Sequence, residues 1–339
     1  MVLVPIHAAA LLTGAASFRD NPLIGSTALN RRGLHLWRVR TAERMAARRR
    51  RALAGLISPA HREEFEAQGY VVIRDALPPE AFAALRREAE TTPFPATEMK
   101  QGVAVTRFAT MPPERLRAAP ALRAFLRGPL FQGLMRYVGA ADADPTTNLH
   151  TVHSGREAGR PDPQTQLHSD TFHATAKAWL FLDDVAEEDG PFSYVPGSHC
   201  STPGRLAWER AQSLEAASHR NGHHALGSFR AKPAEVLAMG YPAAVSFPAP
   251  ANTFVIADTR GFHARRPSLR PSRRVAVYGS LRGGPFLPFA APGPFDLPFL
   301  RGRRAQAVDF QRAVNARLFG RGGGQKPVGE KTAYDPPSL

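Results

Sequence analysis

The segment Gln166-Leu167-His168-Ser169-Asp170 places two metal-binding side chains one residue apart. In an extended chain alternate side chains share a face, so His168 and Asp170 point the same way. A third donor from a distant strand would complete one triangular face of an octahedron and leave three adjacent positions open. That is the two-histidine, one-carboxylate arrangement of non-haem iron(II) sites, whose open positions admit a bidentate co-substrate and dioxygen. The run Thr253 to His263 offers the third donor: an apolar strand, a turn at Gly261, then His263. His168, Asp170 and His263 are therefore the expected metal ligands and catalytic centre.

Such a centre also needs a cation to hold the far carboxylate of the co-substrate. Ser272-Arg273-Arg274-Val275-Ala276-Val277-Tyr278 follows on the next strand. Neighbours on a strand point opposite ways, so only one arginine can face inward. Either Arg273 or Arg274 can be that residue. A lone His-x-Asp says little, because a histidine in so short a motif is usually a structural one. The ordered set of His-x-Asp, long gap, strand-borne histidine and following arginine is far more restrictive.

Other conspicuous side chains carry weaker signals. His150 and His153 lie at odd spacing on one strand, so one of them can line a pocket. His173 reads equally as a pocket or a surface residue, and His199 as part of a structural turn. Asp183, Asp184, Glu187, Glu188 and Asp189 read as a solvated hairpin turn rather than general acid and base carboxylates. Arg107, Arg156, Arg160, Arg265 and Arg266 are candidates to flank the mouth and bind an anionic substrate.

Several elements must position these groups. Ser58-Pro59 is an N-cap and first-turn pair, and Gly69 a C-terminal stop, so a helix is expected between them. Tyr70 to Ile73 reads as a strand, and Glu80 to Glu90 as a helix with Phe82 and Leu85 on its apolar face. From Gln101 onward short strands alternate with turn signals, TQLHSD among them, and one helical insert follows Gly204. The pattern predicts a mainly β fold, a sandwich or jelly-roll barrel braced by flanking helices, over residues 58–317. Residues 318–339 are Gly/Pro-rich and read as a flexible tail.

Composition bounds the partners. The 339 residues carry a net charge of +15, and residues 1–57 hold ten arginines against only Asp20 and Glu43. An apolar start followed by a basic helix suits an arm lying on an anionic membrane; it suits equally an arm packed on the domain with a solvated basic face. The start is shorter than the roughly 20 residues that span a bilayer. One cysteine, Cys200, excludes an internal disulfide framework and favours a reducing compartment such as the cytoplasm. No phosphate-loop, dinucleotide, zinc-finger or RNA-binding motif is present, so no nucleic-acid partner is expected.

Taken together, EEFEAQGYVVIRDALPPEAFAALR at 63–86, LHSD at 167–170, AWLFLDDVAEEDGPFSYVPGSH at 178–199, IADTRGFHARRP and SRRVAVY resemble the phytanoyl-CoA dioxygenase family. The resemblance spans roughly residues 60–285. It implies a double-stranded β-helix core of the cupin-like kind and iron(II), 2-oxoglutarate and dioxygen as cofactor and co-substrates. By the same resemblance Trp179 falls where an aromatic lines the 2-oxoglutarate site, and Arg273, favoured by the apolar alternation after it, matches the arginine that anchors that co-substrate, with Arg274 as the alternative. The carboxylate of Asp170 matches the hydroxylating members, since the related halogenases carry a small residue there. One branch hydroxylates the Kdo sugar of lipopolysaccharide, so a lipid-linked anionic substrate met at the inner membrane is one expectation. An acyl-CoA or a small metabolite is another, and a non-catalytic jelly-roll binding protein is the competing class.

Overall fold

The computed structural model describes residues 3–155, 162–319 and 324–339. Its strands, in chain order, are β1 (Tyr70–Ile73), β2 (Phe94–Gln101), β3 (Ala104–Thr110), β4 (Thr146–Ser154), β5 (Thr175–Phe181) and β6 (Phe192–Tyr194). They continue with β7 (Val245–Phe247), β8 (Phe254–Asp258), β9 (His263–Arg265), β10 (Ser272–Arg282) and β11 (Lys326–Lys331). Eight form one antiparallel sheet in the order β1-β8-β5-β10-β4-β3-β2-β11, and β7-β6-β9 form a second. The connections between distant strands give the jelly-roll its crossovers, and helices cover the outer face of the large sheet.

Period-2 alternation sorts each strand's side chains between two layers. On β5, Ala176, Ala178 and Leu180 join a large apolar core with Phe131, Leu134 and Phe254, under the helices. Lys177, Trp179 and Phe181 point the other way, into a cavity between the sheets. On β10, Val275 and Val277 go to the outer core, whereas Arg274, Ala276 and Tyr278 go to the cavity. Both faces of these strands are buried, as in any sheet covered on two sides.

The helix Pro59–Gln68 begins at Ser58, whose hydroxyl accepts from the His61 N–H, and ends at Gly69 with φ of 84°. That positive φ suits glycine. A Cβ at Gly69 would also collide with the His199 ring and the Tyr194 hydroxyl. His199 is thereby fixed as a packing residue, its ring tilted against that of Phe65 at 5.2 Å.

The N-terminal arm is part of the fold. Its helix Leu34–Leu53 buries Arg38, which donates to the carbonyls of Leu11, Thr13 and Ala15. Glu43 pairs with buried Arg260 at 2.9 Å, and Arg50 with buried Asp258 at 2.7 Å. Arg40, Arg44, Arg48 and Arg51 remain exposed along the opposite side.

The C-terminal tail departs from the flexible segment expected. β11 pairs with β2, and Ala333 is fully buried. Buried Arg107, bound to Glu98, donates to the carbonyls of Asp335 at 2.8 Å and Pro336 at 2.6 Å. Arg107 is thus occupied in clamping the tail rather than flanking a mouth. Glycine and proline content gave no hint of this, because the clamp comes from a strand more than two hundred residues earlier.

Candidate active site

His168, Asp170 and His263 converge. One oxygen or nitrogen from each lies within 4.8 Å of the others. Asp170 Oδ1 stands 4.0 Å from His168 Nε2 and 3.8 Å from His263 Nε2. The expected strand over 165–170 is reduced to a single bridge residue: His168 pairs with both His263 and Arg230, and no ladder extends from it.

The ring orientations are set by backbone. His168 Nδ1 lies 2.7 Å from the Gln166 carbonyl, and His263 Nδ1 lies 3.0 Å from the Gly261 carbonyl. A carbonyl only accepts, so each Nδ1 carries the proton and each Nε2 presents its lone pair to the other donors. Burial pushes the His263 imidazole down to about 4, against the opposing pull of Asp170, and pushes His168 well below the ordinary value. Both rings are therefore neutral at pH 7, the form that binds metal. At Gly261 a Cβ would collide with the Tyr194 hydroxyl, which donates to the Asp258 carbonyl at 2.8 Å. Only glycine lets the turn into His263 pass so close.

Asp170 is held by its other oxygen. Oδ2 accepts from Thr259 Oγ1 at 2.6 Å and pairs with Lys177 Nζ at 2.6 Å. Burial alone would raise its pKa, but Lys177, His263 and Arg282 hold it well below the usual carboxylate range. Oδ1 is left free and charged. Two neutral imidazole nitrogens and one charged carboxylate oxygen are the donor set that would hold a facial iron(II). The residues present fit the metal.

The adjoining cavity, about 210 Å³, is lined by His168, His263, Lys177, Trp179, Arg274 and Tyr278, among others. Trp179 packs between Phe192 and Tyr278, with ring centroids 4.9 and 5.8 Å away. Of the arginine pair, Arg274 enters the cavity, whereas Arg273 is exposed and lies over the Tyr334 ring at 4.6 Å. Arg274 Nη1 donates to the Gly190 carbonyl, and among the described residues its Nε has no partner. Burial lowers its pKa to about 9, aided by Arg265, so it is a cation short of an anion.

His150 lines the cavity and His153 faces away; burial takes the His150 ring down to about 3. His173 is buried under the arm, outside the cavity. Arg265 reaches the cavity and pairs with Asp162, while Arg266 is exposed. Arg156 and Arg160 lie outside the described residues. In the acidic cluster Asp189 is buried and bound by Arg270 at 2.7 Å. Sequence reasoning missed Lys177 and Arg230. Lys177 carried a usable signal, since it sits two residues before Trp179 on one strand and so shares its face. Arg230 carried none.

An antiparallel jelly-roll with a facial His-Asp-His set beside a cavity that ends in an arginine defines an iron(II)/2-oxoglutarate oxygenase architecture. The sequence model of the phytanoyl-CoA dioxygenase family matches residues 65–238, half of the chain, and the protein belongs to that family. It is accordingly a 2-oxoglutarate-dependent oxygenase, with iron(II), 2-oxoglutarate and dioxygen as its cofactor and co-substrates. No curated protein sequence matches the chain. Similar solved structures include the α-ketoglutarate-dependent epimerase SnoN from nogalamycin biosynthesis, at 18% identity over 67% of this chain and 82% of that one, TM-score 0.41. HygX from Streptomyces hygroscopicus, with nickel and 2-oxoglutarate bound, is 15% identical over 66% and 86%, TM-score 0.43. AviO1 from Streptomyces viridochromogenes is 19% identical over 70% and 99%, TM-score 0.39. Likeness this remote assigns no substrate.

Proposed function

We propose that the protein hydroxylates an unactivated C–H bond of an anionic substrate, with His168, Asp170 and His263 as the iron ligands. The observation that carries this reading is the asymmetric use of Asp170, one oxygen tied down and the other free and charged toward two neutral imidazoles. When bound, iron(II) with 2-oxoglutarate and dioxygen supplies the oxidising power, and succinate and carbon dioxide are the co-products.

The chain's own residues bind and orient. Arg274 offers its guanidinium to the distal carboxylate of 2-oxoglutarate, a planar fork suited to bidentate pairing. Trp179, Phe192 and Tyr278 wall the space and exclude water. Thr259 and Lys177 fix the carboxylate ligand. Incubation with iron(II), 2-oxoglutarate and extracts of anionic sugars and lipids should yield succinate coupled to a product 16 Da heavier. Succinate without any such product from every anionic fraction, but with one from neutral compounds, would defeat the substrate class.

The finer expectation is a lipid-linked sugar such as Kdo, met on the cytoplasmic side of a membrane. Its support is the exposed stripe Arg40, Arg44, Arg48 and Arg51, at helical spacing on one side of Leu34–Leu53. No helix among the described residues is long and apolar enough to cross a membrane. Deleting the arm would not test the idea, because Arg50 and Glu43 belong to the fold. Changing the four exposed arginines to glutamine should abolish salt-sensitive binding to anionic vesicles; equal binding by parent and variant would contradict it.

A further inference from the structure

We propose that a groove centred on Arg230, beside the metal face, is the subsite that takes an oxyanion group of the substrate, a phosphate or a carboxylate. The proposal rests on the oxygenase reading and adds to it the groups that hold the substrate's charge.

Direct pairing of His168 with both His263 and Arg230 puts all three side chains on one face of the small sheet. Arg230 therefore flanks His168 on the side opposite His263. It opens onto a groove of about 780 Å³ that shares Ala264 and Arg265 with the 2-oxoglutarate cavity. The groove's charged and imidazole groups are His219, His224, Arg230, Lys232, Arg265 and Arg266, with Glu235 as the one acid among its described lining. Glu235 is committed elsewhere, accepting from Trp208 Nε1 at 3.1 Å and the Lys232 N–H at 2.6 Å. Arg265 is matched by Asp162 and Arg266 by Glu187. Among the described residues neither Arg230 nor Lys232 forms an ion pair within 4.0 Å, and the carboxylate that acts on Arg230 from farther away is the metal-facing Asp170.

The unsatisfied atoms point the same way. Arg230 Nη1 donates to the Ser228 carbonyl at 2.8 Å, but its Nε is buried and without a partner among the described residues. The Nε2 of His224, a residue 1% exposed, is likewise buried and unpartnered. Burial holds that ring down to about 4, so it is neutral. Its Nδ1 lies 3.2 Å from the Arg230 N–H and accepts from it. Nε2 therefore carries the proton and is a free donor. The unpartnered Arg230 Nε, the exposed Lys232 ammonium and the unpartnered N–H of His224 make a complement to an oxyanion. Arg274 lies in the other cavity, so the two anionic molecules of the reaction meet separate arginines.

Calorimetric titration of inorganic phosphate and of acetate into the full-length protein, held anaerobically with iron(II) and saturating 2-oxoglutarate so that Arg274 is occupied, tests this, with the tighter anion identifying the oxyanion type. Loss of one charge-assisted pair is worth roughly 10- to 100-fold. Binding of at least one anion should weaken at least about tenfold in Arg230→Gln and several-fold in Lys232→Glu, an exposed position that leaves folding intact. The 2-oxoglutarate affinity of Arg230→Gln should stay within about twofold of the parent. Absence of binding by the intact protein overturns the proposal. So does parental affinity in both groove variants, or a loss in Arg230→Gln of 2-oxoglutarate affinity instead of phosphate or acetate affinity. Failure of the metal-loaded intact protein to bind 2-oxoglutarate would sink the oxygenase reading separately, whatever the phosphate result.

Discussion

Replacing Arg274 by methionine separates the two arginines that sequence alternation could not. Arg274 is a buried cation with one backbone acceptor and an unpartnered Nε, and burial lowers its pKa to about 9. The distal carboxylate of 2-oxoglutarate would supply the missing anion. Two hydrogen bonds to a charged group, at about 1.5–3 kcal/mol each, overstate the loss, because methionine also relieves the free protein of an unpaired buried charge. A net of about 2–3 kcal/mol remains, roughly 30- to 150-fold in the Kd for 2-oxoglutarate. In the absence of 2-oxoglutarate the stability of Arg274→Met should stay within about 1 kcal/mol of the parent for the same reason. Arg273→Met removes only an exposed guanidinium lying over the Tyr334 ring, and should change the Kd by less than about twofold. Anaerobic calorimetry of 2-oxoglutarate binding to the metal-loaded protein reads both variants. A large loss in Arg273→Met with parental affinity in Arg274→Met would refute the reasoning.

Three further outcomes follow from the same contacts. Lys177→Met strips Asp170 Oδ2 of its cation and should weaken metal binding about 10- to 100-fold, read by direct metal titration; unchanged affinity would show that Thr259 alone fixes the carboxylate. Arg50→Met leaves Asp258 buried without its partner and should cost about 3–5 kcal/mol in chemical denaturation at pH 7. Burial alone would raise the Asp258 pKa, but Arg50 and the Thr175 N–H hold it below the usual range; that stability is present above the unfolded pKa and lost as pH falls through the folded one, so parent and variant should converge in acid. Removing residues 324–339 takes away β11 and the carbonyls that Arg107 binds, and should lower the melting temperature by many degrees, whereas a free tail would leave it unchanged.

The residues that were legible in sequence are those whose role is encoded locally. The His168–Asp170 spacing, the strand and glycine turn before His263, and the Ser58 and Gly69 caps each follow from a few consecutive side chains. The choice between Arg273 and Arg274 failed for a physical reason. β10 is buried on both faces, so its apolar residues alternate between two cores and mark neither as the inside. Buried Arg38 and Arg49 and half-buried Arg50 read as a solvated or membrane-binding charge run, because their partners are carbonyls and one carboxylate scattered across the chain. Arg230 was invisible because a one-residue bridge, rather than a strand pattern, brings it beside His168.

The most direct test of the central claim is visible absorption of the protein under anaerobic conditions with iron(II) and 2-oxoglutarate. The account predicts the weak charge-transfer band of the chelate in the intact protein, and its loss in His168→Ala with the fold retained. No band in the intact protein, or the same band in His168→Ala, would contradict the assignment of His168, Asp170 and His263 as the metal centre.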